Sequence, residues 1–211
     1  MDPNAAQVSS IADTVGVALR CCDDPRLAVA LLKTLAGGEP VAEPQLAVTA
    51  GRERAQVATV LARWPSVQRD EQGRVIGFSG LSLRPTPHRF QVDGHALFTW
   101  CAWDALFLPA VLDRPARVES KCPVTGADVR LTVEPHRIRD CDPQAALVSF
   151  PSAEAVSTAD ITGSFCTHVH FLAGQDAAGR WLRDHPGANA LAIEHAFDLG
   201  RHVTRPLLAA D

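Results

Sequence analysis

The stretch RERAQVATVLARWPSVQRDEQGRVIGFSGLSL, residues 52–83, decides the fold of the N-terminal part of the chain. Its first half predicts an amphipathic helix, because apolar residues recur at helical spacing on one face: Val57, Val60, Leu61 and Trp64. After Pro65, two segments flank a polar turn near Glu71 to Gly73, which predicts a β-hairpin. The preceding segment EPQLAVTAG predicts a shorter helix. Helix, turn, helix and hairpin therefore follow one another in the order of a winged helix.

The segments on either side of this stretch divide the chain into two parts. Residues 1 to about 38 predict helices that end at Gly37 and Gly38. On the other side, PTPHRFQVDG carries two prolines and a terminal glycine, and we interpret it as the connection between the parts. The predicted domains are residues 1–90, which hold the helices and the winged helix, and residues 91–211, which hold the chemistry.

The C-terminal part mixes helices and strands. LFTWCAWDALFLPAVL predicts a helix, and RPARVESKC with ADVRLTVEP predicts a second hairpin around the turn CPVTG. AALVSFP and GSFCTHVHFLAG predict further strands, RDCDPQ predicts a loop, and the chain ends in two predicted helices. Because no βαβα alternation is present, the predicted class is α+β, with a mixed antiparallel sheet flanked by helices.

Composition and charge exclude several classes of protein. The formal net charge of −4 provides no global basic field of the kind that nucleic-acid binders carry. No segment approaches the roughly 20 apolar residues that span a bilayer. The N-terminus lacks the features of a signal peptide, so the predicted location is cytoplasmic. Neither a membrane nor nucleic acid is therefore predicted as a partner, and six cysteines without a CxxC pair argue against a zinc ribbon.

Two groups of residues are candidates for chemistry. Cys101 and Asp104 are three residues apart, so a helix places them on one face, and a first-turn position of Cys101 would lower the pKa of its thiol through the helix dipole. Strand alternation in GSFCTHVHFLAG places Cys166, His168 and His170 on one face, where thiolate and imidazole would suit zinc or copper. On spacing alone, ordinary packing of these side chains stays an open alternative for both groups.

The combined motifs resemble the alkylmercury lyase family of bacterial mercury-resistance systems. The resemblance starts at about residue 25, and its most specific pieces are FTWCAWDALFLPAVLDRPARVESKCPVTGADVRLTV, SFCTHVHFLAG and HAFDLGRHV. It implies that Cys101 and Cys166 are the catalytic cysteines that hold mercury, that Asp104 is the catalytic aspartate beside the metal, and that Cys122 is structural. Thr167 stands where some relatives carry a further cysteine.

The resemblance also implies the reaction, which is cleavage of a carbon–mercury bond by protonolysis to a hydrocarbon and Hg(II). Soft thiolates suit a soft metal. A carboxyl would carry the proton, and burial near Trp100, Trp103 and Phe107 would raise its pKa and keep it weakly acidic. No organic cofactor or resident metal is expected. The expected partners are an organomercurial substrate and, as acceptors of Hg(II), small cellular thiols or a mercuric reductase.

Three other functions are left open by the residues themselves. The first is a metal-responsive winged-helix regulator, because residues 51–90 hold seven arginines against three acidic residues. The second is a zinc or copper protein that uses Cys166, His168 and His170. The third is a cysteine hydrolase with Cys101 as its nucleophile. The preference for aryl or alkyl substrates, the oligomeric state and the roles of Cys21, Cys22 and Cys141 are not determined by the sequence.

Overall fold

The structure is a computed structural model that describes residues 23–65, 67–157 and 160–209. The first predicted helix, with Cys21 and Cys22, lies outside the described residues. The helices described are α1 (Pro25–Leu35), α2 (Glu43–Thr49), α3 (Arg54–Arg63), α4 (Asp104–Leu112), α5 (Ile161–Ser164), α6 (Gln175–Asp184), α7 (Ile193–Val203) and α8 (Arg205–Leu208). No helix in this part of the chain combines the length and the apolar character that a bilayer crossing needs.

The strands form two antiparallel sheets. The larger sheet has the order β1-β2-β3-β5-β4-β6-β7-β8 and the smaller has the order β10-β9-β11. The strands are β1 (Val67–Arg69), β2 (Val75–Phe78), β3 (Leu81–Ser82), β4 (His88–Val92), β5 (His95–Thr99), β6 (Ala116–Lys121), β7 (Asp128–Glu134), β8 (Arg137–Asp142), β9 (Leu147–Phe150), β10 (Phe171–Leu172) and β11 (Asn189–Ala192). Helices with antiparallel sheets confirm the α+β class.

From residue 23 onward, the N-terminal region has the predicted helices and hairpin. Helix α1 begins where its sequence signals it, because Asp24 accepts the Leu27 N–H at 3.1 Å and Pro25 occupies the first turn. Helix α3 buries Val57 and Leu61. The hairpin of β1 and β2 then continues through β3 into the larger sheet, so this region and the rest of the chain share one sheet.

Two predicted elements were wrong on this side of the sheet. PTPHRFQVDG is not a connection, because His88–Val92 is strand β4, and the segment before Cys101 is strand β5 rather than helix. The signal that we missed is the two-residue turn Asp93–Gly94, where both residues have positive φ and Val92 pairs with His95. Such a turn reverses the chain into a hairpin. The division into domains 1–90 and 91–211 stays a prediction.

Three predictions in the C-terminal part were also wrong. Most of GSFCTHVHFLAG is not strand, because Ile161–Ser164 is helical and Cys166–His168 forms one 3-10 turn. The physical reason is a cap: Asp160 accepts the Gly163 N–H at 2.9 Å and starts the helix. Strand β8 replaces the loop predicted at RDCDPQ, and strand β11 replaces the start of the last predicted helix, ALAIEHAFDLGRHVTRPLLA. The hairpin around CPVTG, formed by β6 and β7, is confirmed.

Helix α4 lies at the centre of the main core. Of its nine residues only Ala110 is not buried, so the helix is enclosed on all sides. It packs against α1, α7 and the strands β6 and β7. A helix this deeply enclosed holds its first residue, Asp104, in a fixed place relative to the surrounding elements.

Candidate active site

Cys101 lies in the short turn that joins strand β5 to helix α4, and Asp104 is the first residue of that helix. The helix therefore starts after Cys101, and the first-turn position considered for Cys101 from the sequence is not found. The two residues are nevertheless in direct contact, because the Asp104 Oδ2 accepts the Cys101 N–H at 2.9 Å. The carboxyl thus folds back over the start of the helix, where free backbone N–H groups favour an acceptor.

The turn that carries Cys101 is fixed from three directions. Thr99 Oγ1 donates to the Cys101 carbonyl at 2.8 Å. The Trp100 N–H donates to the Gly80 carbonyl at 2.8 Å, and the Ala102 N–H donates to the Val169 carbonyl at 3.1 Å. Consequently strand β5, the turn between β2 and β3, and the segment that follows Cys166 all hold the same few residues in place.

Cys166 reaches this turn from the other end of the C-terminal part. It begins the 3-10 turn Cys166–His168, which follows helix α5 and precedes Val169. The His168 N–H donates to the Phe165 carbonyl at 2.9 Å and so closes this turn. The hydrogen bond between Ala102 and Val169 then brings the segment beside Cys101. The position of Cys166 therefore depends on a tight turn and not on strand alternation.

Cys101, Asp104 and Cys166 converge on one point. Their two sulfur atoms and a carboxylate oxygen all lie within 4.8 Å of one another. The exposed fractions of the three residues are 0%, 8% and 5%, so the group is shielded from bulk water. Among the described residues, His, Cys, Asp and Glu side chains form one group of three or more that could hold a metal ion, and it is this group. Two soft sulfur ligands beside a hard oxygen suit a soft, thiophilic metal.

Burial controls the protonation of this group. It raises the pKa of the Cys101 thiol well above its usual range, and the nearby Cys166 thiol and Asp104 carboxylate raise it further. The lowering of this pKa that a first-turn position would bring does not apply, because Cys101 precedes the helix and lies fully buried. Burial also raises the pKa of Asp104 to about 6, although hydrogen bonds from Cys101 act in the opposite direction. Near neutral pH, the resting group therefore holds protonated Cys101 beside a mostly ionised Asp104.

Trp103 connects the two cysteine segments through an aromatic cluster. Its Nε1 donates to the Ala196 carbonyl at 2.7 Å, which ties the turn to helix α7. Its ring makes edge-on contacts with Phe107, Phe150 and Phe165 at centroid distances of 5.6, 5.5 and 5.8 Å. Phe165 directly precedes Cys166, so the same indole buttresses both sides of the site.

The remaining candidates lie outside this group. His168 and His170 do not join Cys166 in a metal-binding group within the described part of the chain, and His170 instead packs edge-on against Trp181 at 5.0 Å. Cys122 is buried in the turn between β6 and β7, where its backbone closes the turn. Cys141 is half-buried on strand β8. A zinc or copper site built from Cys166, His168 and His170 therefore has no geometric support.

One contributor to the site was missed from the sequence, namely the turn at Ser79 and Gly80. The signal was available, since a Ser-Gly pair between two apolar segments is typical of a two-residue hairpin turn. No local pattern, however, indicates that this turn reaches Asp104. That contact depends on the order of strands in the larger sheet.

Comparisons with known proteins match both parts of the chain to the same family. The family model for alkylmercury lyase matches residues 81–205, and the model for the helix-turn-helix domain of alkylmercury lyase matches residues 8–79. The alkylmercury lyase of Streptomyces lividans is 47% identical over 86% of this chain and 83% of its own length. The alkylmercury lyase of Pseudomonas putida is 43% identical over 86% of this chain and 84% of its own length.

A solved structure has the same fold. The crystal structure of the mercury-bound form of MerB2 superposes with a TM-score of 0.75 and covers 94% of this chain and 98% of that one. At 22% identity this likeness concerns the arrangement of helices and strands. It supports the α+β architecture described above.

Proposed function

The chain belongs to the alkylmercury lyase family, and we propose that it cleaves organomercurials with Cys101 and Cys166 as mercury ligands and Asp104 as the proton carrier. The observation that carries this assignment is the convergence of two thiols and one carboxyl within 4.8 Å in a buried site. The helix-turn-helix region matches a domain of alkylmercury lyases, so it lends no support to a metal-responsive regulator.

The first step is exchange of the mercury ligand. A thiol of the site loses its proton to the Asp104 carboxylate as its sulfur binds mercury and displaces the ligand X of the substrate R–Hg–X. Asp104 is suited to this step because, with a pKa of about 6, it is largely ionised near neutral pH. The Cys101 thiol remains protonated until a metal arrives, since burial raises its pKa and opposes a free thiolate.

The second step brings the other sulfur onto mercury. Thiolates are soft ligands that bind mercury strongly, and two of them raise the electron density on the metal. The carbon bonded to mercury becomes more basic as a result. The second thiol loses its proton to the anion X that the first step released, so that X leaves as HX.

The third step is protonation of the carbon by Asp104. The carboxyl that accepted a proton from the first thiol donates it to carbon as the carbon–mercury bond breaks, and the electron pair of that bond forms the new C–H bond. The overall balance is R–Hg–X plus two thiols giving R–H, HX and mercury bound by two thiolates. Because the site is buried, bulk water does not compete for the proton or for the metal.

Release of Hg(II) completes the cycle. A bis-thiolate complex of mercury exchanges with other thiols, so small cellular thiols or a mercuric reductase would act as acceptors. The chemistry requires no organic cofactor, because every group that moves a proton or binds the metal belongs to the chain or to the substrate. Mercury enters as substrate and leaves as product.

Formation of a hydrocarbon tests this function directly. Purified protein is incubated with phenylmercuric acetate and an excess of small thiol, and benzene is measured by gas chromatography. We expect catalytic formation of benzene that is lost on Asp104→Ala substitution. Absence of benzene from the wild-type reaction, with the protein folded and phenylmercury bound, would overturn the assignment.

A further inference from the structure

A tight turn from the N-terminal region lies directly against the catalytic carboxyl. Ser79 and Gly80 connect β2 to β3, and Phe78 pairs with Leu81 across the turn. Both central residues have positive φ, 44° for Ser79 and 95° for Gly80, as a type I′ hairpin turn requires. The Gly80 carbonyl also accepts the Trp100 N–H at 2.8 Å, so the turn is anchored to the residue before Cys101.

The Asp104 carboxyl occupies the space that a side chain on residue 80 would need. A Cβ added to Gly80 would lie 2.6 Å from the Asp104 Cγ, 2.6 Å from its Oδ1 and 2.9 Å from its Cβ. Distances this short are well inside van der Waals contact, so one of the two groups would have to move. The bare backbone of Gly80 therefore forms the surface against which the carboxyl rests.

The carboxyl has little freedom to move away from this surface. Its other oxygen, Oδ2, is bound by the Cys101 N–H at 2.9 Å, and its backbone begins the enclosed helix α4. Gly80 on one side and the Cys101 N–H on the other thus fix the position of Asp104. A side chain at residue 80 would displace the acid from its position beside the two sulfur atoms.

We propose that Gly80 is a positioning residue, whose missing side chain lets the Asp104 carboxyl lie within reach of the carbon bonded to mercury. The inference rests on the proposed role of Asp104 in proton transfer. It also gives the turn that follows the β1–β2 hairpin a part in catalysis, because this turn forms one wall of the active site. Gly80 itself lies between the two family matches, which end at residue 79 and start at residue 81.

The chain contains a matched control for this proposal. Gly94 is the second residue of the turn Asp93–Gly94 between β4 and β5, where both residues again have positive φ and Gly94 has a φ of 84°. A Cβ at Gly94 would meet no atom within 4 Å. Gly94→Ala thus imposes the same backbone strain as Gly80→Ala but no contact with Asp104.

Turnover and binding are compared for the two variants. Gly80→Ala should lower kcat for phenylmercuric acetate by about 100-fold, the order of loss that a misplaced catalytic group produces. Its affinity for phenylmercury, measured by isothermal titration, should stay within a few-fold of the wild type because both sulfurs remain. Gly94→Ala should keep kcat within about twofold. An equal loss of kcat in both variants, or a loss of affinity that matches the loss of kcat, would overturn the proposal.

Melting temperatures test the contact independently of turnover. Gly80→Ala should lower Tm more than Gly94→Ala does, and this excess should disappear when Asp104→Gly removes the three atoms that the new Cβ would meet. If Gly80→Ala does not fold, the double variant with Asp104→Gly should restore folding. An excess that persists in the double variant, or a double variant that also fails to fold, would contradict the contact. Because this readout needs no hydrocarbon product, a failure of the proposed lyase activity is distinguished from a failure of this inference.

Discussion

The Asp104 carboxyl accepts the backbone N–H of Cys101 at 2.9 Å, so the proposed proton carrier is oriented by the residue whose sulfur is a proposed mercury ligand. This contact joins two functions that protonolysis needs in one place. It also places the acid at the start of a helix whose burial keeps it fixed.

The first prediction concerns the proton carrier. Asp104→Asn should lower kcat by about 100- to 10,000-fold, the range that general acid–base catalysis contributes, because the amide cannot carry the proton. The affinity for phenylmercury should change little, since both thiols remain. Stopped-flow kinetics and isothermal titration measure the two quantities. A variant that retains wild-type kcat would exclude Asp104 as the acid.

The second prediction concerns the pH dependence of activity. The free enzyme needs an ionised Asp104 to accept a thiol proton, and the pKa of Asp104 is about 6. The value of kcat/KM should therefore rise with pH through about 6 and level off above it. Initial rates of benzene formation between pH 5 and pH 8 test this rise. A flat profile in the wild type would contradict the role of an ionised carboxylate.

The third prediction links the same pKa to stability. Folding raises the pKa of Asp104 from 3.8 to about 6, so the ionised form is disfavoured in the native state. Below pH 3.8 the carboxyl is protonated in both states and carries no penalty, and the penalty grows to about 3 kcal/mol above pH 6. Asp104→Asn should therefore raise the free energy of unfolding at pH 8, and the gain should shrink towards zero at pH 4. Urea denaturation at both values tests this, and a variant destabilised equally at both would contradict it.

The fourth prediction separates the cysteines. Cys101→Ser and Cys166→Ser should each lower kcat by more than about 100-fold, because a hydroxyl is a poor ligand for a soft metal. The double variant should be no worse than either single variant, since the sulfurs act as a unit. Cys141→Ser is the control, because its thiol lies on β8 outside the site and donates to the Pro143 carbonyl. A loss of kcat on Cys141→Ser that equals the loss on Cys101→Ser would refute the assignment.

The fifth prediction concerns the indole that buttresses the site. Trp103→Phe removes the hydrogen bond to the Ala196 carbonyl and leaves that buried acceptor without this donor. The Ala196 carbonyl lies within helix α7 and keeps its helical donor, so the free energy of unfolding should fall by about 0.5–1.5 kcal/mol, the net contribution of one hydrogen bond. Urea denaturation measures the loss. An unchanged stability would show that the contact between Trp103 and helix α7 contributes nothing.

Sequence patterns predicted the elements whose signals are local. The hairpin of β6 and β7 alternates apolar and polar residues around a turn at Gly126, and the pair Gly37 and Gly38 marked the end of the N-terminal helices, just after α1 ends at Leu35. The helix predicted before Cys101 was wrong because a continuous apolar segment shows neither helical nor strand periodicity. The Asp93–Gly94 turn, which makes this segment a strand, was not recognised. The strand predicted around Cys166 was wrong because the side chain of Asp160 caps a helix there, in spite of the alternating sequence pattern.

The candidate site could be predicted in part. Spacing placed Asp104 near Cys101, and the resemblance to a family supplied Cys166, but neither gives a distance between segments so far apart in the chain. That distance depends on the hydrogen bond between Ala102 and Val169 and on the aromatic cluster around Trp103. The contact of Gly80 with Asp104 was beyond prediction for the same reason, because it follows from the order of the strands.

The position of bound mercury tests the central claim most directly. Crystals grown with one equivalent of mercuric ion per chain, measured at the mercury absorption edge, would locate the metal by its anomalous signal. We predict one mercury bonded to the sulfurs of both Cys101 and Cys166, with the Asp104 carboxyl beside it. Mercury bonded to only one of these sulfurs, or to another cysteine while this pair stays free, would contradict the account.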